Sequence, residues 1–227
     1  MIADVAISRA RGAFCRLALS ILLLCGSLLP AFAQERSPDR TGDFDFYVLA
    51  LSWAPTHCRI DAPDRPCLES GRAFTLHGLW PQYEHGFPDS CRTDEPYNIP
   101  RSLASAATDL FPDRSLLQHE WRKHGTCMGL DQKAYLDKLR EAVSRVRIPP
   151  LLRSADAPQY SSAREVENAF VVANPGLSPA GIALACKGQA VQEVRICMTR
   201  NLDFRRCAEV DRAGCQRNRV VFPAASR

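Results

Sequence analysis

Cysteine constrains this chain more than any other residue type: ten occur in 227 residues. Cys15 and Cys25 fall in an N-terminal segment with a basic start (Arg9, Arg11, Arg16). The 17-residue run LALSILLLCGSLLPAFA follows and closes on Ala31-Phe32-Ala33, the small-x-small pattern that signal peptidases cut. That run contains Pro30 and is short for a membrane span of about 20 residues. Residues 1–33 are therefore expected to be a cleaved signal and residues 34–227 one domain, with no membrane attachment after cleavage. Eight cysteines remain: Cys58, Cys67, Cys91, Cys127, Cys186, Cys197, Cys207 and Cys215. An even number in an exported chain implies a disulfide framework, although eight cysteines allow 105 pairings. No Cys-x-x-Cys pair occurs, which weighs against a zinc ribbon or a thioredoxin-type site. The expected location is periplasmic or secreted, and the absence of any Asn-x-Ser/Thr acceptor leans toward a periplasm.

Charge decides less. The whole chain carries +4, which falls to +2 once Arg9, Arg11, Arg16 and Asp4 leave with the signal. So small an excess is no polybasic coat for nucleic acid, and any phosphate recognition must be local.

Hydrophobic patterning suggests an α+β domain with a mainly antiparallel β-sheet packed by several helices and stapled by disulfides. FDFYVLALSWAP reads as a buried strand ending before Pro55, and AFTLHGLW (residues 73–80) as another, stopped by Pro81. Residues 93–101 are turn-like. Leu136, Leu139, Val143 and Val146 recur at helical spacing before Pro149-Pro150. A further helix should start at Ser161 or Ser162 and end at the Asn174-Pro175-Gly176 turn. GIALAC and EVRICM read as strands, with Val194, Ile196 and Met198 alternating, and four cysteines staple the C-terminal end.

The stretch HEWRKHGTC (residues 119–127) carries the densest chemistry. Taken as a helix over residues 116–124 stopped by Gly125, it projects His119, Glu120, Lys123 and His124 at about 0°, 100°, 40° and 140°. The four share one face, while Trp121 points near 200°, toward the core. Zinc-protease helices hold their two histidines about 40° apart. Here they are about 140° apart with a lysine between them, which disfavours a metal site. A Cys127–His124 nucleophile pair is disfavoured too, because an exported cysteine among eight is expected to be oxidised. The face suits a phosphate: Lys123 and two imidazoles supply donors, Glu120 can orient them, and the helix C-terminus should favour a cationic His124. Alone, the stretch reads first as a solvated, salt-bridged helix face.

FTLHGLWPQ (residues 74–82) adds a second histidine site. His77 lies on the strand, Gly78 leaves room for a ligand, and Trp80 offers an aromatic surface to a base. A lone strand histidine is commonly a satisfied core residue. Together with the helix, though, it forms the pair of separated imidazoles that metal-free phosphodiester cleavage needs.

These two segments resemble the active-site segments of the ribonuclease T2 family, with looser similarity in LALSW, Cys91 and LACKGQAVQEVRIC. The resemblance implies that His77 is the general acid on the leaving 5′-oxygen and His124 the base that deprotonates the 2′-hydroxyl. Glu120 and Lys123 would polarise the phosphoryl group, His119 would bind phosphate, and Trp80 would line a base site. It implies disulfides Cys58–Cys67, Cys91–Cys127, Cys186–Cys215 and Cys197–Cys207. It implies a monomer acting on single-stranded RNA through a 2′,3′-cyclic phosphate, with broad base tolerance, no cofactor, no metal and no cleavage of DNA. The alternative is a secreted RNA-binding or cytotoxic protein of the same fold whose recognition matters more than turnover. His57 and His85 match no motif and read as loop residues.

Overall fold

The computed structural model describes residues 40–60 and 71–225; the expected signal segment and Cys67 lie outside them. The fold is organised around β1 (Phe46–Trp53), all eight of whose residues are buried. Its odd-numbered side chains, Tyr47, Leu49, Leu51 and Trp53, enter the main core, while Phe46 and Val48 pack on the other face with Cys197 and Cys207. This is the period-two alternation of a strand, with both faces covered.

Strand β1 pairs antiparallel with β2 (Phe74–Gln82) on one side and β5 (Ala190–Met198) on the other. The hairpin partner of β5 is β4 (Ile182–Lys187), joined to it through Gly188 at φ +60°. The six-stranded sheet is completed by β6 (Val220–Phe222), which meets β5 in parallel, and β3 (Gln159–Ser161), antiparallel to β6. The sheet is thus mainly antiparallel, with one parallel contact. β2 does not stop at Pro81 but runs through it to Gln82. As an edge strand it needs no N–H at that position.

Six α-helices occur among the described residues: α1 (Ala54–Ile60), α2 (Arg101–Ser105), α3 (Arg114–Lys123), α4 (Gln132–Ser144), α5 (Ala163–Ala173) and α6 (Ala208–Ala213). The expected start of α5 is present as a capping box, in which Ser162 and Glu165 satisfy each other's backbone N–H groups. α4 ends earlier than Pro149 implied. Beyond Arg145 the Asn174 side chain bonds the N–H and C=O of Arg147 and turns the chain away. α1, α2 and α6 are too short for a periodic signal, and His57 consequently sits on α1 rather than in a loop. The helices and sheet close over a core that includes Trp53, Phe74, Phe170 and Phe222 in edge-to-face contacts of 5.0–6.3 Å. No helix among the described residues is long and apolar enough to cross a membrane.

Disulfides join Cys91 to Cys127, Cys186 to Cys215, and Cys197 to Cys207. Cys58 is also disulfide-bonded, and the expected pairing with Cys67 reaches outside the described residues. The last two named bridges pin α6 to β4 and β5, so that the loop-rich C-terminal end forms one wall of the cleft described next.

Candidate active site

α3 is held in place along the side that carries no site chemistry. Asp113 caps its first turn, accepting from the Ser115 N–H at 2.7 Å. Gln118 exchanges two hydrogen bonds with the backbone of Ile99, and the buried Trp121 donates to the Pro96 carbonyl at 3.0 Å. Trp121 therefore anchors the helix as its angular position implied. The helical bounds differ slightly: α3 closes at Lys123, and His124 is the cap residue. Gly125 is not a left-handed cap but opens a 3-10 turn, Gly125–Cys127. A Cβ there would lie 2.4 Å from the Trp121 ring, so glycine is needed for packing rather than for backbone conformation.

His119, Glu120, Lys123 and His124 all line one cleft of about 480 Å³, and His77 and Trp80 enter the same cleft from β2. His77 arrives there through an irregularity. Ala50 pairs with Gly78 but Leu51 pairs with Leu76, leaving His77 as the extra residue of a β-bulge. Strict alternation would have placed His77 on the side of Leu79, which is fully buried in the main core. The bulge instead puts Gly78 and His77 on the cleft side.

Gly78 leaves room for a protein carboxylate rather than for a ligand. A Cβ at this position would sit 2.1 Å from Glu120 Oε2. That oxygen accepts the Trp80 indole N–H at 2.7 Å, while Glu120 Oε1 lies 3.5 Å from His77 Nε2. The Trp80 ring stands between the imidazoles, with centroids 5.1 Å from His77 and 5.2 Å from His124.

The two histidines experience opposite electrostatics. Burial alone would lower the pKa of His77, but the Glu193 hydrogen bond and the charges of Glu193 and Glu120 outweigh it and the opposing Arg195. His77 therefore holds its proton above the usual imidazole range. His124 is pushed down to about 3, first by burial and then by Lys123, with only Asp89 opposing. The cationic His124 expected from the helix dipole is overturned. Desolvation and a neighbouring ammonium exceed what a helix terminus supplies. Its Nδ1 is buried with no hydrogen-bond partner among the described residues. Glu120, 1 % exposed, is pushed up to about 7 by burial, with Glu193 adding to the shift and His77, Trp80 and Lys123 opposing it.

Sequence reasoning missed two residues of the cleft region. Glu193 and Arg195 lie on β5; Glu193 contacts His77 Nδ1, and Arg195 lines the cleft with its guanidinium carbon 5.3 Å from the Trp80 ring centroid. The signal was present: because Val194 and Ile196 point into the core, their odd-numbered neighbours must face the other way. His85 stays outside the constellation, 3.3 Å from Glu209 in the loop after β2.

Comparison with known proteins bears on the family and the fold. The sequence pattern of the ribonuclease T2 family matches residues 44–207. A ribonuclease of Aeromonas hydrophila is 43% identical over 114 residues, which is 49% of this chain and 52% of that protein. The chain spans about half the length of this and other curated relatives it matches. An RNase-related protein from Calystegia sepium shares the fold with a TM-score of 0.65 at 24% identity, over 81% of this chain and 99% of its own. RNase NT, solved in complex with 5′-AMP, does so with a TM-score of 0.58 at 22% identity, over 73% and 91%. With its pattern matched from the first core strand to Cys207, the chain belongs to the ribonuclease T2 family.

Proposed function

We propose that the protein is an exported endoribonuclease that cleaves single-stranded RNA by metal-independent transphosphorylation. The observation that carries this reading is the gathering of two separated imidazoles, His77 and His124, with Lys123 and Glu120 in one cleft. The raised pKa of His77 and the lowered pKa of His124 suit them to give and to take a proton. The 2′-hydroxyl attacks the adjacent phosphorus as His124 takes its proton. The P–O5′ bond breaks as His77 gives its proton to the leaving oxygen, and a 2′,3′-cyclic phosphate remains. Water can then open the cycle with the two roles reversed. Each transfer contributes roughly 10²–10⁴-fold.

Lys123 and His119, both lining the cleft, would meet the phosphoryl oxygens, and Lys123 would counter the negative charge that develops on them. Glu120 would orient His77 from below while Trp80 holds its other oxygen. The nucleophile belongs to the substrate, so DNA, lacking it, is not cut and no metal-bound water is required. Trp80 and the half-exposed Phe87 give the cleft aromatic faces, and stacking tolerates every base. The disulfide framework fits an oxidising compartment, periplasmic or extracellular.

The test is RNA cleavage by the mature protein in excess EDTA, with the ends analysed chemically. Full activity yielding 2′,3′-cyclic ends is expected, and DNA should stay intact. His77→Ala and His124→Ala should each lose at least about 100-fold in turnover while keeping a native melting transition. Chelator-sensitive cleavage, or turnover retained by either variant, overturns the mechanism.

A further inference from the structure

Beyond the motif residues, the structure contains a buried carboxylate committed to His77. Glu193 is 8 % exposed. Its Oε1 meets His77 Nδ1, and its Oε2 accepts from Arg195 Nε at 3.0 Å and lies 2.9 Å from Nη2 of the same guanidinium. We propose that Glu193 is a positioning residue that fixes the tautomer and orientation of His77, with Arg195 locking the carboxylate in place. The proposal rests on the reading of His77 as a proton-transferring group and extends it.

The sheet is built to allow this contact. His77 and Glu193 belong to β2 and β5, which flank β1 on opposite sides. Two strand spacings amount to about 9.6 Å, a gap that an imidazole and a glutamate can bridge only over small residues. On the cleft face β1 presents Ala50, paired with Gly78 and Arg195, and Ser52, paired with Glu193. Larger side chains there would separate the pair.

The consequence follows from donor and acceptor roles. An ionised carboxylate only accepts, so the proton of a neutral His77 must stay on Nδ1. Nε2 is then the nitrogen exchanged with substrate, and it is the one turned toward Glu120 and the cleft. A lone buried carboxylate would prefer to be neutral. Burial does oppose the charge on Glu193, but His77 and Arg195 overcome it and hold its pKa below the ordinary value. The charged and titratable groups facing His77 are Glu193 and Arg195 from β5, and Glu120, Lys123 and His124 from α3 and its end. Among them Glu193 supplies the largest proton-retaining effect.

The test compares Glu193→Gln, Glu193→Asp and Glu193→Ala with His77→Ala in the full mature chain, measuring kcat, KM and melting temperature across pH. Glu193→Gln is expected to keep KM and lower kcat about 10–100-fold, the size of effect that follows when the partner orienting a metal-bound histidine is removed. The alkaline limb of its pH profile should shift to lower pH, with Glu193→Asp recovering part of both effects. Nitrogen NMR of the wild-type imidazoles above neutral pH should show His77 as the Nδ1–H tautomer, and this readout needs no active variant. Wild-type kcat and limb position in both Glu193→Gln and Glu193→Ala, with His77→Ala inactive, would overturn the positioning role alone. The Nε2–H tautomer would do the same. Activity in His77→Ala would instead remove the reading on which the proposal stands.

Discussion

His124 and Glu120 are buried within one turn of each other and shifted in opposite senses, which couples the cleft's chemistry to the protein's stability. His124 titrates near 3 when folded and near ~6.5 when unfolded. Between those values the unfolded chain binds the extra proton, so this contribution to stability is present above pH 6.5 and lost as pH falls toward 3. Glu120 titrates near 7 when folded against 4.5. Its contribution is fully present below pH 4.5 and lost as pH rises through 7. At roughly 1.4 kcal/mol per pKa unit each is on the order of a few kcal/mol, so they largely offset. His124→Gln should therefore lose less stability than wild type on acidification from pH 7 to 4, and Glu120→Gln should lose more. Urea midpoints at the two pH values check this; equal slopes in all three proteins would contradict the burial-driven shifts. The same pair of imidazoles predicts a bell-shaped kcat/KM profile, limited on the alkaline side by His77 and on the acid side by His124.

At the level of elements, the site depends on a β-bulge and on two glycines that accept neighbouring side chains. Gly78 exists for the Glu120 carboxylate, and Gly125 for the Trp121 ring. A methyl group at either position acts differently. Gly78→Ala drives Glu120 away from both Trp80 and His77. Its kcat should fall by about tenfold or more, a loss of only about 1.4 kcal/mol in the transition state sufficing. Gly125→Ala presses on a ring buried in the core, and overpacking of that kind costs about 1–3 kcal/mol. It should appear mainly in the melting temperature. Steady-state kinetics and thermal unfolding of both variants separate the two; wild-type kcat in Gly78→Ala would mean Glu120 has no part in turnover.

Across the whole molecule, the Cys91–Cys127 bridge ties the loop after β2 to the end of α3. Beside it the Ser90 N–H, at φ +52°, donates to the Lys123 carbonyl at 2.9 Å, and neighbouring Asp89 faces His124 electrostatically. The bridge spans 36 residues in sequence, against 10 for Cys197–Cys207. Closing the longer loop removes more freedom from the unfolded chain, a difference of about 1 kcal/mol by chain entropy. Replacing Cys91 and Cys127 together by alanine should thus destabilise the fold by about 2–5 kcal/mol, more than removing Cys197–Cys207, and should also depress turnover. Denaturant unfolding of the two double variants decides it, and the opposite order would count against the loop-entropy account.

His119, Glu120, Lys123 and His124 of HEWRKHGTC could be grouped on one side of a helix from spacing alone, because a helix rotates each residue by a fixed angle. FTLHGLWPQ could be recognised as its counterpart, and the strands flanking it were legible from alternation. These are local properties, determined within a single element. The side of the sheet on which His77 emerges was not local: it turns on a bulge set by pairing with β1, and alternation by itself points the imidazole into the core. Glu193 and Arg195 lay in a strand whose inward residues were evident, yet only the order β2-β1-β5 brings them to His77. The protonation of the histidines was likewise beyond the motif. A pKa depends on burial and on every charge that packing brings within reach, and here packing reversed the state expected of His124. The sequence by itself determined which residues could do the chemistry and which faces they share. The tertiary structure decided which nitrogen faces the cleft, which imidazole holds the proton and which carboxylate keeps it there, because those follow from distances and desolvation between elements far apart in the chain.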